Sequence, residues 1–127
     1  MGYYSEVKIV MKDSEYQEMK ARINYYKNKE ELKRFFKMAK EKFHIIDGIT
    51  LAVLHWDWIK WNPSYNKEVK YIEDYLRELN EQGKPFKMVR IGEDVGDIEI
   101  LDSYGIDGDD CCDIIRPHIC SEIAEDF

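Results

Sequence analysis

Four groups of residues in this chain have the types and spacings that do chemistry. The largest is acidic. Glu93, Asp94, Asp97, Glu99, Asp102, Asp107, Asp109, Asp110, Asp113, Glu122, Glu125 and Asp126 fall between Ile91 and Phe127, where Arg116 is the one Lys or Arg, so this third carries −11. Residues 1–42 hold 11 Lys and Arg against 7 acids, and residues 43–90 hold 7 of each. Charge segregated in this way speaks about partners rather than about fold. A row of carboxylates can occupy Lys and Arg sites that otherwise neutralise phosphates, and such binding weakens steeply with salt. The alternatives are a hard-cation site and a solvated face that keeps a small protein soluble.

Two further groups lie inside that acidic third. Asp107-Gly108-Asp109-Asp110, with Asp102 and Asp113 nearby, offers oxygens of the kind calcium takes. The EF-hand spacing fails, because Tyr104 and Ile106 stand at the third and fifth places counted from Asp102. Cys111-Cys112, His118 and Cys120 are soft ligands of the kind zinc takes. Adjacent cysteines do not easily point at one tetrahedral ion, and in an extended strand only Cys112, His118 and Cys120 share a face. Buried cysteine acting as a small apolar residue is the simpler reading, so no metal is expected.

The fourth group is His55-Trp56-Asp57-Trp58, followed by Lys60-Trp61. On a strand, His55 and Asp57 share one face and Trp56 and Trp58 the other. A His beside an Asp invites general-base chemistry, but no Ser or Cys nucleophile can be placed next to it, and a structural His at the end of a core strand is the plainer reading. Trp61 and Tyr65 flank Pro63, which puts them in a loop as interface anchors. The chain has no Gly-rich phosphate loop, no HExxH, no GxSxG and no CxxC pair. It reads as a non-enzymatic protein with no cofactor.

The elements that must position these groups follow from periodicity. Ser5, Val7, Ile9 and Met11 alternate with Tyr4, Glu6 and Lys8, which predicts a strand. Asp13-Ser14-Glu15 starts a helix with Tyr16, Met19 and Ile23 as its apolar stripe. Asn28 caps a second helix, with Leu32, Phe35, Phe36, Ala39 and Phe43 at helical spacing and Lys33, Arg34, Lys37, Lys40 and Lys42 on its other face. Asp47-Gly48 is a turn signal, and Ile49 to Trp61, apolar on both alternating faces, predicts a central strand. Val69, Ile72, Leu76 and Leu79 mark a third helix closed by Gly83 and Pro85. Strands follow at 86–91 and 97–101, and a last one at 111–123 is confined to an edge by Pro117. The expected fold is α+β in the order β-α-α-β-α-β-β-β, a mostly antiparallel sheet with about three helices packed on it, forming one domain over 1–127.

Composition sets the bounds. Hydrophobic residues make up 44% and aromatic residues 13%, which excludes an acidic disordered chain. No apolar run reaches 18 residues, and the N-terminus has no secretory signal pattern, so a cytoplasmic protein is expected. Three cysteines fit reduced thiols better than a disulfide framework.

Three segments carry a resemblance. Gly2-Tyr3-Tyr4-Ser5-Glu6-Val7, Arg90-Ile91-Gly92-Glu93-Asp94 with Asp97-Ile98-Glu99, and His55-Trp56-Asp57-Trp58-Ile59-Lys60-Trp61 before a helix are similar to small proteins encoded by bacteriophages and prophages. The resemblance implies a context: inhibitors of bacterial defence, anti-CRISPR proteins among them, several of which cover a basic nucleic-acid channel or the site that reads the short motif beside the target. The expected partner is therefore a basic nucleic-acid-binding host protein, such as a CRISPR effector, and neither nucleic acid itself nor a membrane. The expected surface comprises Glu93, Asp94, Asp97, Glu99, Asp102, Asp107, Asp109, Asp110 and Asp113, with Trp61 and Tyr65. Two other functions stay open: sequestration of a small nucleotide signal in an aromatic pocket, and a metal-dependent enzyme using the aspartates or the Cys/His cluster.

Overall fold

The computed structural model describes residues 4–46, 48–62, 64, 66–93 and 96–103, with the side chains of 46, 102 and 103 left aside. Its elements are β1 (Ser5–Lys12), α1 (Asp13–Arg22), a 3-10 turn (Ile23–Tyr25), α2 (Lys29–Lys37), β2 (Lys40–Ile46), β3 (Ile49–Ile59), α3 (Lys67–Glu81), β4 (Phe86–Gly92) and β5 (Ile98–Ser103). The strands form one antiparallel sheet in the order β2-β3-β1-β4-β5. This is the α+β architecture expected from the sequence.

Helices lie on one side of the sheet. Val7, Ile9 and Met11 of β1, Ala52, Leu54 and Trp56 of β3, and Phe86 and Met88 of β4 point to that side. Tyr16 and Met19 of α1, Leu32, Phe35 and Phe36 of α2, and Val69, Ile72, Leu76 and Leu79 of α3 pack onto them. Polar atoms in this core find partners, as burial requires: the Tyr16 hydroxyl donates to the Glu41 carboxylate, and others reach the main chain. Trp56 Nε1 donates to the Phe35 carbonyl at 3.0 Å, near the end of α2, and the same carbonyl accepts from the Met38 N–H at 3.2 Å. The Tyr75 hydroxyl donates to the Glu15 carbonyl at 2.7 Å, and the Tyr71 hydroxyl donates to that of Met19, so α3 is latched to the backbone of α1.

One element differs from the sequence reading. The second helix was expected to run to Phe43, but it ends at Lys37, and Lys40–Ile46 pairs with β3 as a strand. Phe43 fits a helical stripe by number alone. Lys-Glu-Lys-Phe-His-Ile-Ile also alternates, and Ile46 pairs with Ile49 around Gly48, whose φ is +79°, a value glycine adopts without strain. The lysines expected on one helix face are thus divided: Lys33 and Lys37 stay on α2, while Lys40 and Lys42 belong to β2.

A bulge reshapes the end of β3. Ser5 pairs with Ile59 and Val7 with Trp56, so the single residue Glu6 faces two, Asp57 and Trp58. The extra residue shifts the side-chain alternation by one. Ile59 and Trp61 therefore rejoin Trp56 on the helix side, and Trp58, expected beside Trp56, is turned out and 67% exposed. No described helix is long and apolar enough to cross a membrane. The strand expected at 111–123 lies outside the described residues.

Candidate functional site

The β4–β5 hairpin holds the described part of the acidic third. Gly96, at φ +83°, turns the chain, and the Gly92 N–H donates to the Asp97 carbonyl at 2.8 Å. The register then sets Arg90 opposite Glu99 and Lys87 opposite Asp102. Arg90 Nη2 meets Asp97 Oδ1 at 3.0 Å and Nη1 meets Oδ2 at 3.2 Å, a two-pronged pair, while Nε lies 3.6 Å from Glu99 Oε1. Ser5 Oγ accepts from the same guanidinium at 3.1 Å. Glu93 is exposed and accepts from the main-chain N–H of Tyr4, joining the start of β1 to the end of β4.

Of the residues expected to form a docking surface, the structure gathers Asp97 and Glu99 around Arg90 and sets Glu93 at the same end of the sheet. Asp102 sits on the backbone of β5 opposite Lys87. Asp94, Asp107, Asp109, Asp110, Asp113 and Tyr65 lie outside the described residues, as do Glu122, Glu125, Asp126, Cys111, Cys112, His118 and Cys120.

Trp61 is a core residue rather than an exposed anchor. It is 7% exposed, its ring lies 5.4 Å from that of Trp56 and 5.9 Å from that of Phe35, and its Nε1 donates to Glu73 Oε2 at 2.8 Å. The reason is the bulge, which returns the chain after Trp58 to the helix side. Glu73 is buried with it. Burial pushes the Glu73 pKa up, and the Trp61 N–H holds it back. The exposed aromatic at this end is Trp58, which shares a shallow surface with Tyr4 and Glu93.

On the side of the sheet away from the helices, Glu6 of β1 comes beside His55 and Asp57 of β3. His55 Nε2 is 2.7 Å from Glu6 Oε2 and 3.4 Å from Asp57 Oδ1. One ligand atom from each lies within 4.8 Å of the others, a donor set of one imidazole and two carboxylates that suits a zinc-like ion with a position left open. The Lys40 ammonium is 2.8 Å from Asp57 Oδ2 and takes up charge that a cation would need. These residues, with Lys42 and Val53, line a cleft of about 460 Å³. Sequence reading found His55 and Asp57 but not Glu6. Glu6 stands on the outward phase of β1, and only the strand pairing brings it to them.

A second cleft, of about 320 Å³, lies among Arg22, Tyr26, Lys67, Lys70, Tyr71 and Tyr75. Tyr26 and Tyr71 meet edge to face at 4.9 Å, and burial pushes the Tyr71 phenol up to about 12. Two of its cations are engaged: Arg22 pairs with Glu18 and Glu78, and Lys70 with Asp74 at 2.8 Å. An aromatic ligand has a place to stack here, and an anionic one would have to displace carboxylates.

Comparison with protein-family models, curated proteins and solved structures returns no match for this chain.

Proposed function

We propose that this protein works by binding, presenting its acidic third to a basic, nucleic-acid-binding protein and so keeping nucleic acid off that protein. The observation that carries the reading is the charge distribution: 12 carboxylates against Arg116 between Ile91 and Phe127. Such a surface can satisfy arginines that otherwise hold phosphates or read guanines, since carboxylates pair with guanidinium groups in the same two-pronged way. Arg90 does this with Asp97 inside the fold. The resemblance to phage-encoded proteins supports a host defence protein, a CRISPR effector in particular, as the partner. In this reading the working residues are Glu93, Asp94, Asp97, Glu99, Asp102, Asp107, Asp109, Asp110 and Asp113. Tyr65 remains a proposed anchor, and Trp58 takes the place of Trp61.

The test is affinity for purified, guide-loaded CRISPR nucleases across a salt series. The reading expects affinity to fall by an order of magnitude or more as salt rises about fourfold. It also expects the triple variant Asp107→Asn, Asp109→Asn, Asp110→Asn to lose binding. Undiminished binding by that variant removes the role of the 107–110 loop, and binding indifferent to salt removes the electrostatic reading altogether.

One observation favours a second reading. Glu6, His55 and Asp57 form a metal-capable set, which supports a metal-dependent activity. Elemental analysis of the purified protein separates the two: stoichiometric zinc or another divalent metal lost on His55→Ala favours the second, and a metal-free protein that still binds its partner favours the first.

A further inference from the structure

A cleft of about 450 Å³ lies between α1, α2 and the start of β2. Its inner wall is apolar, formed by the buried Tyr16, Ile23 and Phe36, with the Tyr16 and Phe36 rings 6.3 Å apart. Its rim is cationic, with Lys20 on α1 and Lys33 and Lys37 on α2. Among the described residues, Glu41 of β2 is the one carboxylate lining it. Three ammonium groups against that carboxylate leave this lining at +2, in a chain of net charge −7.

Glu41 is already engaged. It accepts from the Tyr16 hydroxyl, and the Lys20 ammonium lies 3.8 Å from it and 4.4 Å from the centre of the Tyr16 ring. Lys33 and Lys37 meet no carboxylate among the described residues. They stand four residues apart on α2, the spacing at which like charges destabilise a helix. Glu30 precedes Lys33 by three residues, a spacing suited to an ion pair, yet the two do not pair. An anion placed between the two ammonium groups would relieve their repulsion. The cleft beside Tyr71 differs on this point, since its Arg22 and Lys70 are held by carboxylates.

We infer that this cleft binds a phosphate monoester carried on a small organic body, with the phosphate at Lys33 and Lys37 and the body against Tyr16, Ile23 and Phe36. Charge fits: a phosphate monoester carries about −2 near neutral pH, the opposite of the +2 lining. Lysine serves phosphate as a point charge, so no forked geometry is needed. Size calls for the organic part. The cleft falls within the range of about 300–1,000 Å³ typical of sites that enclose small molecules. A bare phosphate would leave its apolar wall against water. Nucleotides share this chemistry with sugar and aryl phosphates. The inference does not rest on the proposed function, because α1, α2 and β2 all precede the acidic third.

The test is calorimetric titration of the full chain with adenosine 5′-monophosphate and with phenyl phosphate, beside inorganic phosphate and adenosine. The expected result is binding of one ester or both, with the better ester roughly tenfold tighter than inorganic phosphate and than adenosine. Preference between the two esters tells a nucleotide site from a site for other phosphate esters. Lys33→Gln with Lys37→Gln is expected to weaken ester binding roughly tenfold at unchanged circular dichroism, since both side chains are exposed. Lys27→Gln with Lys29→Gln, exposed lysines outside the cleft, is expected to leave binding as it was. Three results overturn the inference: neither ester binding at millimolar concentration, inorganic phosphate or adenosine binding as tightly as both esters, or full ester affinity in the Lys33→Gln, Lys37→Gln variant.

Discussion

The two faces of the sheet are built from alternate residues of the same strands, yet they solve burial differently. Toward the helices, β1, β3 and β4 supply apolar side chains, and α1, α2 and α3 supply complementary ones, with the polar atoms of Trp56, Tyr71 and Tyr75 turned to main-chain carbonyls and that of Trp61 to Glu73. Away from the helices, the strands alternate apolar residues with lysines, and Glu6, His55 and Asp57 form a polar cluster at one end. The second is a mosaic of charged and apolar side chains. The difference teaches that one set of strands can serve an apolar core on one side and a polar, titratable cluster on the other.

The largest effects are expected from equal cuts into the two faces. Leu54→Ala on the helix face should cost about 2–5 kcal/mol in denaturant unfolding, the range for a buried leucine. Leu51→Ala on the other face should cost a similar amount, since Leu51 is just as buried. A cost for Leu51→Ala near that of an exposed site, below about 0.5 kcal/mol, would break the comparison, because it would mean that the second face is open to water in solution.

Glu73 gives the next effect, and a pH dependence with it. Burial raises its pKa in the folded protein above the ordinary 4.5. The fold therefore favours its protonated form. That contribution to stability is fully present below the unfolded value and is lost as pH rises through the raised folded value. Glu73→Gln keeps an acceptor for the Trp61 N–H and removes the charge. It should abolish that part of the pH dependence and leave the protein at neutral pH at least as stable as the original, by up to about 1.4 kcal/mol for each unit of the shift. A loss of stability at neutral pH would show that the charge is needed by Arg77 and Arg90.

Much of the fold was legible because its signals were local. The alternation in β1 and β3, the start of α2 just after Asn28, and the stripe Val69, Ile72, Leu76 and Leu79 in α3 all appear as elements, although the Asn28 side chain makes no capping hydrogen bond. Two features were not, and both depend on pairing between distant residues. The strand at Lys40–Ile46 carries a phenylalanine at helical spacing, and the Asp47-Gly48 turn between alternating apolar runs was its counter-signal. The bulge opposite Glu6 leaves no mark in composition, so Trp61 read as a loop anchor and Trp58 as core. The candidate site was half legible for the same reason. His55 and Asp57 are two residues apart, while Glu6 and Lys40 reach them only across strands.

The smallest stability effect is expected at the surface. Arg22 bridges Glu18 and Glu78, but all three side chains are more than a third exposed. Arg22→Ala should cost about 0.2–1 kcal/mol, falling with added salt. A larger cost would mean that its contact with the Tyr75 ring, 5.2 Å away, contributes to holding α1 against α3.

The central claim is that the acidic surface takes the place of nucleic acid on a basic protein. Its most direct test is displacement: a labelled DNA duplex bound to a purified guide-loaded CRISPR nuclease, titrated with this protein at low salt. The account predicts release of the duplex near one-to-one stoichiometry, reversed as salt rises. A complex in which protein and duplex stay bound to the nuclease together would contradict it.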